Sequence, residues 1–165
     1  MNNFIEILTE CRLFLGVDRN NLCKMIGCLG AKTKKFTKDQ FILSEGSEAK
    51  DVGIVLSGEA QIIRIDLFGN RTILARVVPS QLFGESFACA DMKSIPINVV
   101  ATSDCEVMLI DAKRITQTCN GACAFHSKMI FNLLKVVAEK NIIFHEKIEI
   151  TSQRTTREKL MTYLQ

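Results

Sequence analysis

"SEGSEAKDVGIVLSGEAQIIRID", Ser44 to Asp66, is the stretch that decides the fold. Glu45-Gly46 and Ser57-Gly58-Glu59 are turn signals, and short apolar runs follow each of them. After Gly58, the set Ala60, Ile62, Arg64, Asp66 alternates with Gln61, Ile63, Ile65, Leu67, which is the two-residue period of a strand. The same grammar extends outward from Lys34 to Asp111. "KKFTKDQFILSEG", "DVGIVLSGEAQIIRID", "RTILARVV" and "INVVATSDCEVMLID" are strand-like runs. Turn signals separate or interrupt them at Phe68-Gly69-Asn70, Val78-Pro79-Ser80, Phe83-Gly84 and Thr102-Ser103-Asp104. Many short strands with frequent turns predict an antiparallel sandwich or barrel.

Helical patterns flank this region, so the fold class is mainly β with flanking α. Phe4, Ile5, Leu8, Leu13, Leu15, Leu22, Met25, Ile26 and Leu29 recur at roughly helical spacing. Gly16 and the "GVDRNN" stretch divide them into two short helices. "DAKRITQTC" reads as a short helix or turn after the last strand. Asn120 can cap a long helix beginning near Ala122, and no glycine or proline interrupts it before about residue 150.

The long helix carries a seam. Ile130, Leu134, Val137, Asn141, Phe144, Ile148 and Thr151 are spaced 4, 3, 4, 3, 4, 3, which is a heptad repeat. Asn141 takes an interior seam position, where a buried amide fixes register and oligomer state. A second stripe, Met129, Leu133, Val136 and Ile143, can face the chain's own barrel. Two apolar faces predict a helix shared between its own domain and a second copy of the chain. Its interface residues would be Ile130, Leu134, Val137, Asn141, Phe144 and Ile148. The closing "SQRTTREKLMTYLQ" reads as a basic linker followed by the start of a new helix with Leu160, Met161 and Leu164 on its apolar face.

Composition narrows the function classes. The 165 residues are 47% hydrophobic, enough for one domain with a proper core. Lys and Arg total 21 against 18 Asp and Glu, a net charge of +3 that does not by itself argue for nucleic acid. No apolar run approaches the ~18 residues of a membrane span, so no membrane partner is expected. "MNNFIEILTE" lacks the features of a secretory signal, and the expected location is the cytoplasm. Seven cysteines, an odd number, then read as reduced thiols acting as small apolar residues.

The order of helices, jelly-roll strands, "FGESFA" turn, "VVATSDCEVMLID", long helix and "TTREKLMTYL" resembles the sensor half of CRP/FNR-type transcription regulators. The resemblance covers about Phe4 to Gln165. It implies a double-stranded β-helix, the jelly roll of cyclic-nucleotide-binding-like domains, followed by a long dimerisation helix. The implied divisions are 1–120 for the sensor with its N-terminal helices, 121–151 for the dimerisation helix, and 152–165 for a linker and the start of a winged helix-turn-helix. The partners implied are a second copy, a small-molecule effector, and DNA through a C-terminal domain largely missing from these residues.

The resemblance also implies an effector cradle. In members that bind cyclic nucleotides, a Gly-Glu turn meets ribose and phosphate, and an Arg-Ser or Arg-Thr pair on the next segment neutralises the phosphate. Gly84 and Glu85 match the turn, and Ser86 adds a hydroxyl. The second half aligns with Ile95-Pro96 or Pro96-Ile97, and no arginine stands there. A charge-assisted contact to an anion contributes about 1.5–3 kcal/mol, so its loss predicts weak or absent binding of cyclic AMP. Lys93 is expected to point to solvent, and Arg64, Arg71 and Arg76 to lie on strand surfaces. Members that read adenine use a Thr-Ser pair on the long helix, where "KVVAEKNII" offers Asn141 as the polar contact. The candidate effector residues are therefore Phe83, Gly84, Glu85, Ser86, Ile95, Pro96, Ile97 and Asn98. They form an apolar hollow with backbone donors, suited to a neutral or weakly acidic ligand.

Other chemistries fit less well. Cys11, Cys23 and Cys28 have eleven and four residues between them, unlike a compact iron–sulfur loop, although a thiol or iron–sulfur redox sensor stays an alternative. A cyclic-nucleotide regulator with a non-standard phosphate site is another. The two histidines, His126 and His145, both fall on the long helix, and His126 is expected on its surface. The strands hold no histidine for a metal or a general base, so no catalysis, no metal and no cofactor is expected.

Overall fold

Strand alternation builds the centre of the molecule. The computed structural model describes residues 4–117 and 124–164; the expected Asn120 cap and the Cys119 and Cys123 pair lie outside the described residues. The strands are β1 (Lys32–Phe36), β2 (Phe41–Leu43), β3 (Asp51–Ser57), β4 (Ala60–Ile65), β5 (Arg71–Val77), β6 (Leu82–Phe83), β7 (Asn98–Ala101) and β8 (Cys105–Asp111). They pair antiparallel into two four-stranded sheets, ordered β1-β8-β3-β6 and β2-β7-β4-β5.

The central strands of the first sheet, β3 and β8, are covered on both faces. Val55 of β3 and Cys105, Val107 and Leu109 of β8 join Ile42, Ala60, Val77, Val99 and Ala101 in the core between the sheets. The intervening Val52, Ile54, Leu56, Met108 and Ile110 face a second core, built with the helices. This is why "VGIVL" and "VMLI" are nearly continuous apolar runs: neither face meets water.

Two strand expectations change. The run "KKFTKDQFILSEG" is two strands in different sheets, split by a turn in which Thr37 N donates to Gln40 Oε1 at 2.8 Å. Strict alternation in β4 ends between Ile62 and Ile63, where the register with β5 shifts from Ala75 to Ile73 and skips Leu74.

The N-terminal helices are α1 (Ile5–Glu10), a 3₁₀ turn at Arg12–Phe14, and α2 (Arg19–Leu29). Asp18 caps α2 by accepting from Asn21 N at 3.0 Å, and Gly30 ends it in the left-handed region at φ 58°. Short helices α3 (Glu85–Cys89) and α4 (Ala112–Thr116) follow β6 and β8. The long helix α5 runs Ala124–Ser152, and α6 (Thr156–Tyr163) starts on a Thr155–Glu158 capping box.

The base of α5 is locked to the N-terminal helices. Met129, Leu133 and Val136 are buried beside Leu8, Leu13 and Phe14. Buried Asn132 donates through Nδ2 to Leu13 O at 3.1 Å and Leu15 O at 3.0 Å. Lys128 Nζ donates to Gly16 O at 2.8 Å, and Arg12 pairs with Glu139. His126, expected on the helix surface, is instead buried, and its Nε2 donates to Arg114 O at 3.1 Å. Ile143 departs from its stripe and is half exposed. Among the described residues, no helix is long and apolar enough to cross a membrane.

Replacing Asn132 by alanine leaves two carbonyls without their donor. The expected loss is about 1–3 kcal/mol of unfolding free energy, read from urea denaturation; an unchanged midpoint would show that the helix is not held there.

Candidate functional site

The cradle turn is formed by β6, Gly84 and α3. Gly84 adopts φ 78° and leads into α3. A side chain there would also press on Asp51 O, 3.1 Å from the position of a Cβ, so both conformation and space call for glycine. The turn delivers Glu85 inward at the first position of α3, where it is only 2% exposed.

Glu85 is not left to a ligand alone. Lys140 of α5 donates from Nζ to Glu85 Oε1 at 2.8 Å and to Leu82 O at 2.7 Å. One ammonium thus bridges the strand before the turn and the helix after it. Oε2 of Glu85 is buried and has no hydrogen-bond partner among the described residues. The Lys140 side chain is a third exposed and that of Glu85 is almost wholly enclosed, so the pair lies at the inner edge of the helix–barrel junction. Removing Lys140 would strand a buried carboxylate, at a cost of about 3–5 kcal/mol. The cations expected nearest the cradle are Lys93 and those on the strands, with none on the 95–97 segment; the one beside Glu85 comes from the long helix, far away in sequence.

The remaining cradle residues separate into three groups. Phe83, Ile95 and Ile97 are interior residues packed between the sheets. The Phe83 ring lies flat against Gly53, where even a Cβ would come within 2.1 Å of it. Much of the space expected for an apolar hollow is therefore occupied by Phe83 itself. Asn98 is buried and structural: its Oδ1 accepts from Glu45 N at 2.9 Å. With Gly46 N to Ile95 O at 2.8 Å and Ile95 N to Ser47 O at 2.9 Å, it staples the Glu45–Ser47 turn onto the 95–98 segment. Ser86 and Pro96 are exposed.

Arg64, Arg71 and Arg76 are exposed as expected, and Arg76 pairs with Glu59. Lys93 is exposed at the rim of a cavity of about 460 Å³ beside α3. That cavity has a mixed lining, with Glu48, Asp91 and Asp111 against Lys50, Lys93 and Lys113.

On α5, Leu134 (63% exposed), Phe144 and Ile148 of the seam are open to solvent, as is Asn141. Ile130 and Val137 are half-buried. The inner stripe continues past Val136 at the same 4-and-3 spacing, but through lysines: Met129, Leu133, Val136, Lys140, Ile143, Lys147. Lys147 Nζ reaches Leu74 O at 3.4 Å, the residue skipped in the β4–β5 register.

The thiols divide by burial. Cys11 and Cys105 are buried, while Cys23, Cys28 and Cys89 are exposed. Burial pushes the Cys11 thiol up from 9.0 to about 11. Cys89 is raised by burial and then by the charges of Glu85 and Asp91, and Cys105 by burial and then by Asp104. None of these shifts favours a reactive thiolate.

The profile of the cyclic nucleotide-binding domain matches residues 33–121, more than half of the chain. The chain belongs to the cyclic nucleotide-binding domain family. Solved structures with the same fold include the catabolite activator protein of Thermus thermophilus (TM-score 0.70, 19% identity, covering 86% of this chain and 63% of that one). This chain thus spans just under two thirds of that protein. The sensor domain of the transcriptional regulator DNR from Pseudomonas aeruginosa aligns at TM-score 0.65 and 15% identity over 92% of this chain and 93% of its own. A cyclic nucleotide-binding domain from Methylobacillus flagellatus aligns at 0.75 and 15% over 94% and 85%. At these identities the likeness establishes the fold, a jelly roll with a long C-terminal helix. No curated protein sequence matches significantly.

The buried thiol generates a pH prediction. Cys11 stays protonated in the folded chain above pH 9 and ionises in the unfolded one, so its contribution to stability is full below pH 9 and is lost as pH rises toward about 11. The unfolding free energy of the wild type should fall faster over that window than that of Cys11→Ala, by up to about 1.4 kcal/mol per pH unit. Parallel pH profiles would contradict the burial.

Proposed function

We propose that this chain is the effector-sensing and dimerisation part of a CRP/FNR-type transcription regulator that responds to a ligand other than cyclic AMP. The observation that carries the reading is the tie between the cradle and the long helix. Glu85, which the resemblance aligns with the Gly-Glu turn that meets the ligand in cyclic-nucleotide-binding members, is bonded to α5 through Lys140. A change at the cradle therefore acts directly on the helix that leaves the domain. The regulators among the structural neighbours support the same reading. The proposed divisions are 1–120 for sensing, 121–151 for pairing, and 152–165 for the linker and first helix of a DNA-reading winged helix-turn-helix.

Two copies would pair through the open face of α5. Leu134, Phe144 and Ile148 are large apolar side chains exposed along one 29-residue helix, an unusual array for a surface that faces only water. In a pair of such helices, Asn141 would meet its counterpart at the interior seam position. Effector-driven change at Gly84–Ser86 and Ile95–Asn98 would shift this seam and, through it, the spacing of two DNA-reading units.

Calorimetric titration with cyclic AMP tests the ligand claim. No binding at micromolar nucleotide is expected, because the Arg-Ser or Arg-Thr pair that the resemblance implies aligns with Ile95-Pro96 or Pro96-Ile97, which hold no arginine. Lys140 favours one second reading, a cyclic-nucleotide regulator whose phosphate partner is an ammonium, and micromolar binding would establish it over the first. Sedimentation tests the pairing. The wild type should run as a dimer and Leu134→Asp, at an already exposed position, as a folded monomer. A wild-type monomer would refute the shared helix.

A further inference from the structure

We propose that Lys140 is a built-in latch: it holds the long helix onto the cradle, and its release from Glu85 is the switching step of the sensor. The proposal rests on the sensing role above and deepens it by naming the contact that is regulated.

The geometry makes the case. Lys140 is the one position of the inner stripe whose ammonium meets both sides of the cradle turn, at Leu82 O (2.7 Å) and Glu85 Oε1 (2.8 Å). N-terminal to it, α5 is held by buried contacts: Met129, Leu133 and Val136 in the core and Asn132 on two carbonyls. C-terminal to it, every residue from Asn141 to Glu149 is exposed. The long contact from Lys147 to Leu74 O is the anchor found there to the barrel. Lys140 therefore sits at the boundary between a half of the helix fixed to its own domain and a half that its own domain leaves uncovered. Opening its two bonds would free the outer half without disturbing the apolar base.

The pair is also poised to be opened. Glu85 Oε2 is enclosed and lacks a partner, so the carboxylate has unused capacity for a donor. A cationic donor arriving at Oε2 would share the carboxylate's charge and repel the Lys140 ammonium bonded at Oε1, which weakens the latch. The latch is held by charge and hydrogen bonds rather than by packing, which lets it open as a unit.

Hydrogen exchange on the full chain tests this without knowledge of the effector. In Lys140→Met, exchange should quicken at residues 82–89 and 140–152 about tenfold or more beyond any rise that the stranded carboxylate causes in β3 and β8. The double variant Lys140→Met with Glu85→Gln buries no unpaired charge. It should keep the fast local exchange while restoring any global stability that the single variant loses. Wild-type protection at 82–89 and 140–152 in the double variant would overturn the latch. So would loss of protection across β3 and β8 in both variants, or failure of both to fold, because the pair would then be a general requirement of the fold. None of these outcomes depends on the cyclic AMP titration or on sedimentation, so failure of the latch and failure of the sensing role are separable.

Discussion

The ion pair between Lys140 and Glu85 is the constraint around which the two halves of the molecule are arranged. A carboxylate enclosed at the first position of a short helix needs a cation, because a buried charge without one is costly. The barrel does not supply it: Arg64, Arg71 and Arg76 all face solvent. The long helix does, and the pairing fixes how far along the barrel that helix must lie. The base of that helix is held by the apolar core, and the ion pair sets where its next turns lie against the barrel.

The rest of the architecture presents these two groups to each other. Gly84 allows the turn that swings Glu85 inward, and Gly53 lets the Phe83 ring sink between the sheets directly before it. The staple of Glu45, Gly46 and Ser47 onto Ile95 and Asn98 closes the barrel beside the turn. At the other end, the first sheet is apolar on its outer face as well. That face gathers α1, α2 and the base of α5 into a second core. The fixed base sets the angle at which Lys140 arrives.

Much of this was legible in the sequence. Turn signals and short apolar runs gave the sandwich, and the flanking periodicity gave the helices. The absence of glycine and proline gave an extent for the long helix close to that observed, Ala124–Ser152. The resemblance pointed to Gly84 and Glu85, and both lie in the cradle turn. The apolar candidates Phe83, Ile95 and Ile97 were harder to read, because an apolar residue beside a turn fits equally well as lining or as filling. Local pattern also hid the two-residue β6 and the skipped residue in β5, which depend on pairing with distant strands. Lys140 was missed because a lysine on a long helix ordinarily belongs to the solvated face. A signal existed: extending Met129, Leu133 and Val136 by their own spacing lands on Lys140 before Ile143. Asn132 and His126 show the same limit, since polar residues that satisfy distant carbonyls resemble surface residues until the chain is folded.

The most direct measurement is the nuclear magnetic resonance signal of the Lys140 ammonium in lysine-labelled protein. An ammonium bonded to Glu85 and Leu82 should give a distinct, slowly exchanging resonance with contacts to both residues, and Glu85→Gln should shift that resonance alone among the lysines. A Lys140 signal that exchanges as fast as the surface lysines, and that ignores the Glu85 substitution, would contradict the account.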